Sequence, residues 1–265
     1  MNLRAKLSIY CAILYKFAYK ILLPKEMGTK LSVNINKIAT IRNARGGNTP
    51  DVVQVAIDCE TFGADGITVH PRPDERHITE ADVMALSGQV KTEFNIEGYP
   101  NERFMALLKA VRPAQATLVP DPPHVLTSNA GWNTIKEADF LKQIISEIKE
   151  LGIRTSLFIE TDGEMIKKAA ELSVDRIEFY TGPYADLFET DKEAAVAPYR
   201  DAAKIADACG LEINAGHDLN LKNLRFFREN IPNLAEVSIG HALVSDAIYL
   251  GLENTVMMYK RELEE

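Results

Sequence analysis

Four of the chain's five histidines, His70, His77, His217 and His241, fall at or just after short apolar runs that read as β-strand ends. Imidazole titrates near neutral pH, so four at such positions point to proton transfer or anion binding rather than to packing. The densest stretch runs from Gly66 to Ile78, where a β-branched run stops at Pro71 and Pro73 and presents His70, Arg72, Arg76 and His77. Two carboxylates share this placement: Glu97 closes Phe94-Asn-Ile-Glu97, and Glu178 lies in Arg176-Ile-Glu-Phe179. Burial at a strand end raises a carboxyl toward neutrality and suits it to proton transfer. An ion pair with a neighbouring arginine satisfies the same position, and the sequence leaves both open.

Phosphate binding has separate signals. Asn214-Ala-Gly-His217 and Ser238-Ile-Gly-His241 each carry a glycine that lets backbone N–H groups approach an anion closely. Arg42-Asn-Ala-Arg45-Gly-Gly47 follows the first strand, near Asn34 and Asn36, and offers two guanidiniums three residues apart. Together these clusters suggest substrates bearing two phosphates. No H-x-H or HExxH spacing signals a metal site, and Cys11, Cys59 and Cys209 form no CxxC motif or disulfide framework.

Such residues lie far apart in sequence and need a scaffold that gathers strand ends. Apolar runs and amphipathic stretches alternate about eight times from Leu31, the pattern of parallel βα units. A closed barrel gathers every strand's C-terminal end at one mouth, whereas an open doubly wound sheet gathers polar residues at one switch point. Polar residues follow nearly every run here, so the pattern predicts a single (β/α)8 TIM barrel with extra short helices. GxGxxG and GxxxxGK[ST] are both missing, which argues against nucleotide cofactors. A net charge of -8 argues against nucleic acid as a partner, and cysteine usage fits a reducing cytoplasm.

Residues 1–26 stand apart as an N-terminal extension: Lys16 and Lys20 break its apolar run into pieces too short for a membrane span. A short helix packed on the body competes with an upstream translation outside the native protein; the second is favoured, with residues 27–265 forming the barrel.

Several ordered motifs carry a family resemblance: Val33-Asn-Ile-Asn-Lys-Ile-Ala-Thr-Ile-Arg-Asn-Ala-Arg-Gly46, Gly63-Ala-Asp-Gly-Ile-Thr-Val-His70, Asn95-Ile-Glu97, Asn214-Ala-Gly-His217 and Ile239-Gly-His-Ala242. From about Leu31 onward the chain resembles the pyridoxine 5′-phosphate synthase family. The resemblance implies a cytoplasmic, cofactor-free and metal-free enzyme, commonly octameric. It condenses 1-deoxy-D-xylulose 5-phosphate with 3-amino-2-oxopropyl phosphate, giving pyridoxine 5′-phosphate, phosphate and water. A related barrel acting on another aminoketone or sugar phosphate is the alternative.

By the same resemblance His70 is a general base, Glu97 a second proton acceptor, His217 the proton donor and Glu178 a stabiliser of transition-state charge. Asn34, Arg45, Gly240 and His241 hold the aminoketone phosphate, and Arg72, His77 and Thr127 the pentulose phosphate. Three residues depart from the family pattern: Asn36-Lys37 replaces Asp-His, and Asp218 replaces glycine. Asn36 and Lys37 are carried over as substrate contacts with Asp218 beside them, and Asp218 has a second reading as a helix N-cap. Residues 120–129 and 182–191 are the expected lids.

Overall fold

The barrel's strands obey a simple alternation in which apolar side chains face outward to the helices and polar ones face the interior. β1 (Lys30–Asn34), β2 (Gly66–Val69), β3 (Glu93–Gly98), β4 (Gln115–Leu118), β5 (Arg154–Ile159), β6 (Arg176–Phe179), β7 (Glu212–Ala215) and β8 (Leu234–Ile239) pair in parallel. The sheet closes through β1 and β8 in this computed structural model, which describes residues 28–120 and 130–264. The expected extension at 1–26, Cys11, His124, Thr127 and most of the 120–129 lid lie outside the described residues.

The helices are α1 (Asn36–Asn43), α2 (Val52–Thr61), α3 (Glu80–Ser87), α4 (Glu102–Val111), α5 (Ala138–Glu150) and α6 (Gly163–Glu171). They continue as α7 (Gly182–Phe188), α8 (Lys192–Ala208), α9 (Leu224–Asn230), α10 (His241–Leu250) and α11 (Leu252–Leu263). Leu31, Val33, Ile67, Ile96, Leu118, Leu157, Ile177 and Ile239 are buried beneath this layer, and they supply the hydrophobic stabilisation of the fold. Capping follows the sequence signals. Thr79 and Asp82 form a capping box on α3, and Asn101 caps α4 through the Phe104 N–H.

Inside the barrel, Ser32, Thr68, Asn95, Thr117 and Gln115 make one continuous hydrogen-bonded ladder across β1 to β4, with distances of 2.7–3.3 Å. At the floor, Glu93 accepts from Lys30 at 2.6 Å and from Arg154, while Arg176 reaches Glu212 at 2.8 Å and Glu236 at 3.3 Å. Burial pushes Glu93 up, but its hydrogen bonds from Lys30 and Arg154 win and hold it near 2.

The structure corrects the sequence reading in four places. Where spacing predicts a strand through Asn36, the chain turns at Ile35, because the Asn34 side-chain oxygen accepts the Asn36 N–H at 3.1 Å and starts α1. The expected lid at 182–191 contains α7, pinned by fully buried Tyr184, whose hydroxyl donates to the Asn223 carbonyl at 2.7 Å. Asp218 is not a helix N-cap, since α9 begins at Leu224. The C-terminal stretch, whose spacing predicts one helix from about Ala242, folds as two, broken at Gly251 with φ of +78°.

Candidate active site

The ends of β1, β2 and β3 build one side of the mouth. Val69 is the last buried apolar residue of β2, so His70 emerges at the rim while remaining only 7% exposed. Its backbone N–H donates to the Asn36 side-chain oxygen at 2.9 Å, which ties β2 to the start of α1. Its Nδ1 lies 3.9 Å from Glu97 Oε2, to which Asn34 Nδ2 donates at 3.5 Å. Burial is the main force on His70, and Arg72, the neighbouring His77 ring and Arg76 add to it, pulling the imidazole down to about 3. Kept neutral, the imidazole has a ring lone pair available to a proton.

His77 sits nearby, its ring 6.3 Å from that of His70. The Ile78 N–H donates to His77 Nδ1 at 3.0 Å, so the ring keeps its own proton on Nε2. Burial first, then Arg72 and Lys37, lowers His77 to about 4, which leaves it a neutral hydrogen-bond donor. Arg42 does not join Arg45 as a second guanidinium at this rim. It is buried and paired with Asp82 through contacts of 2.5 and 2.8 Å, and together with Asn43 it holds the His77 carbonyl. Arg45 remains exposed beyond the end of α1. Arg103 from α4 braces the same loop by donating to the Pro71 and Arg72 carbonyls at 3.4 and 3.3 Å.

β7 and β8 form the opposite side. Gly216 lies so close to the Ser238 carbonyl that a Cβ there would sit 1.9 Å from its oxygen, so no side chain fits. His217 and Asp218 occupy the centre of the turn closed by the Leu219 N–H on the Gly216 carbonyl at 2.9 Å. His217 Nδ1 and Asp218 Oδ2 are 2.7 Å apart, and the Tyr180 ring meets His217 edge-on at 6.0 Å. Gly240 packs against Asn34, its virtual Cβ 3.0 Å from that residue, which joins the ends of β1 and β8. His241 follows as the exposed first residue of α10, whose N-terminal N–H groups favour an anion.

Between the two sides Glu178 points into the barrel, 5% exposed. Register places it beside Asn214, and Asn214 beside Glu236. Burial, then the negative charge of Glu236, pushes Glu178 up to about 7. Of the two readings left open for the carboxylates, Glu178 therefore follows the raised-carboxyl one. Asn34, Asn36, His70, Glu97 and Gly240 are joined by these contacts, as are His217 and Asp218. Lys37 enters through its electrostatic pull on His77, and Arg72 through the loop that Arg103 braces. Sequence reading missed Tyr180, Arg103 and Glu236. Glu236 was legible from alternation, two residues before Ser238; Arg103 was not, because although it follows the end of β3 it lies in the first turn of α4, where an arginine reads as solvated.

The chain matches the family described as "Pyridoxal phosphate biosynthesis protein PdxJ" over residues 31–265. It is 60% identical over 232 residues to the pyridoxine 5′-phosphate synthase of Bacteroides fragilis, covering 88% of this chain and 98% of that protein. The enzyme of the same name from Porphyromonas gingivalis is 59% identical over 235 residues, covering 89% and 99%. Among solved structures, tryptophan synthase from M. tuberculosis superposes with a TM-score of 0.60 at 13% identity, covering 90% of this chain and 93% of that one. Phosphoribosyl anthranilate isomerase from Thermotoga maritima gives 0.55 at 13%, covering 89% and 98%. At such identities these structures speak to the barrel alone.

Proposed function

Because this chain belongs to the pyridoxal phosphate biosynthesis protein PdxJ family, we infer that its barrel mouth makes pyridoxine 5′-phosphate in vitamin B6 biosynthesis, the product for which its relatives are named. The reaction condenses 1-deoxy-D-xylulose 5-phosphate with 3-amino-2-oxopropyl phosphate and releases phosphate and water. An amine attacks a ketone, water and phosphate leave, and a carbon–carbon bond closes the ring. Each step moves protons, so groups with separately tuned protonation serve better than one.

The observation that carries this reading is the buried, neutral His70 beside Glu97, facing a rim where Gly240 and the N-terminus of α10 favour an anion. His70 takes protons as general base with Glu97 as second acceptor. His217 returns them, and Glu178 stabilises charge that develops in the transition state. Asn34, Arg45, Gly240 and His241 receive the aminoketone phosphate. Arg72, neutral His77 and Thr127 receive the pentulose phosphate, with Lys37 adding positive charge. Asn36 holds the His70 backbone and so fixes the base.

The enzyme is expected in the cytoplasm as a homo-oligomer, by resemblance an octamer; exposed Ile248 and Tyr249 on α10 give it apolar surface for contact, and light scattering of the purified protein reads its mass. Among the described residues no helix is long and apolar enough to cross a membrane. Mixing the protein with both substrates, without added metal or nucleotide, is expected to release pyridoxine 5′-phosphate and inorganic phosphate in equal amounts. Binding of both substrates without product would reject the assignment.

A further inference from the structure

His217 and Asp218 share one turn, and that turn is fixed by more than its own closure. The Asp218 N–H donates to the Thr181 hydroxyl at 3.4 Å, and Asn223 Nδ2 donates to the Asp218 carbonyl at 3.3 Å. Leu219 is fully buried beneath it, and Gly216 is wedged against β8. The backbone thus holds two adjacent side chains at hydrogen-bonding distance, 2.7 Å, without either being enclosed: they are 36% and 39% exposed. An ion pair this open adds little to stability. Its geometry nevertheless sets which imidazole nitrogen carries the proton, because a carboxylate on Nδ1 requires the N–H there and favours the doubly protonated ring.

We propose that Asp218 is a positioning residue for the proton donor. Its carboxylate fixes the His217 tautomer and rotamer and stabilises the imidazolium, so that Nε2–H is presented to the reacting oxygen or nitrogen. This proposal rests on the reading of His217 as the donor. It replaces the sequence expectation that Asp218 touches substrate, since the carboxylate is turned to its neighbour. It also accounts for an acidic residue where the family pattern has glycine: this chain supplies the donor's partner from the same turn. The step is a simple proton relay. His217 loses the Nε2 proton to the leaving oxygen and becomes neutral with Nδ1–H still on Asp218, and solvent at this exposed rim restores the proton. Among the described residues, titratable groups that feel the pair include Tyr180, edge-on to the His217 ring, Tyr199, whose hydroxyl responds to the Asp218 charge, and Glu178, whose protonation responds to His217 charge.

The test compares Asp218→Asn, Asp218→Glu, His217→Asn and the double variant His217→Asn/Asp218→Asn by steady-state kinetics across pH. Asp218→Asn keeps an acceptor on Nδ1 and removes the charge. It is expected to lower kcat about tenfold with both KM values unchanged, and to move the pH limb that reports the protonated donor about one unit lower. Asp218→Glu restores part of kcat. His217→Asn loses about a hundredfold or more, and adding Asp218→Asn to it costs nothing further, since a positioning residue has nothing left to position. A wild-type kcat and pH profile for Asp218→Asn, with His217→Asn inactive, overturns the proposal and leaves the donor reading intact. A raised KM for one substrate at unchanged kcat also overturns it, in favour of direct substrate contact. Full turnover by His217→Asn instead removes the donor reading itself.

Discussion

The two sides of the mouth use the same side chain under opposite conditions. His70 and His77 are buried among cations, with Arg42 and Asp82 locked together behind them, and both imidazoles are held neutral. His217 stands on an open turn with a carboxylate against its ring. Burial and positive neighbours keep an imidazole unprotonated; exposure and a negative neighbour favour its protonated form. The difference is one of environment and not of residue type, and the proposed cycle of proton removal and return draws on it.

The largest effect is expected at the buried side. His70→Asn keeps a polar group of similar size and removes the base, and kcat is expected to fall about a thousandfold while phosphate-bearing substrates still bind. Retained turnover would mean that the proton goes elsewhere. Next is Glu178→Gln, expected to cost about a hundredfold in kcat through loss of a charge-stabilising group. The third variant acts on stability. Arg42→Ala leaves the half-buried Asp82 carboxylate with only its capping bonds from Thr79 and should lower unfolding free energy by about 2 kcal/mol in chemical denaturation. Asp218→Asn on the open side should stay within about 0.5 kcal/mol of wild type. Equal losses at the two sites would erase the contrast between a buried side and an open one.

Most of the mouth was legible because a barrel's topology does the gathering. Once the alternation of runs indicates eight βα units, every residue at a strand end becomes a neighbour of the others, and His70, Glu97, Glu178, Gly240 and His241 needed no further information. What escaped was local and depended on single side-chain contacts. Asn36 looked like the end of a strand because Val33-Asn-Ile-Asn alternates, yet a hydrogen bond from its own N–H to Asn34 turns the chain first. Arg42 looked like a phosphate ligand by its spacing from Arg45, but Asp82, forty residues on, claims it. Alternation also hides what interior polar residues do. The β1–β4 ladder satisfies itself, while Ser156, Glu178, Asn214, Glu236 and Ser238 on β5–β8 each keep a buried polar atom without a partner among the described residues.

The smallest expected effect is the one that tests protonation directly, through the pH dependence of stability. His70 falls to about 3 from 6.5, so between those values the unfolded chain binds more protons; its contribution is complete above pH 6.5 and is lost as pH falls toward 3. Glu178 is pushed up to about 7 from 4.5, so in that window the native state binds more protons and its contribution declines as pH rises. Between pH 5 and 6.5 His70 and His77, the latter lowered to about 4, raise stability with pH, while Glu178 and buried Glu236, both pushed up, lower it, each group at most about 1.4 kcal/mol per pH unit. Wild type should therefore change little over that interval. Removing Glu178 by Gln should expose a rise in stability with pH, and removing His70 by Asn should expose a fall. Unfolding titrations at pH 5.0, 5.75 and 6.5 read these slopes, and slopes of the same sign in the two variants would show that burial does not tune these groups in opposite directions.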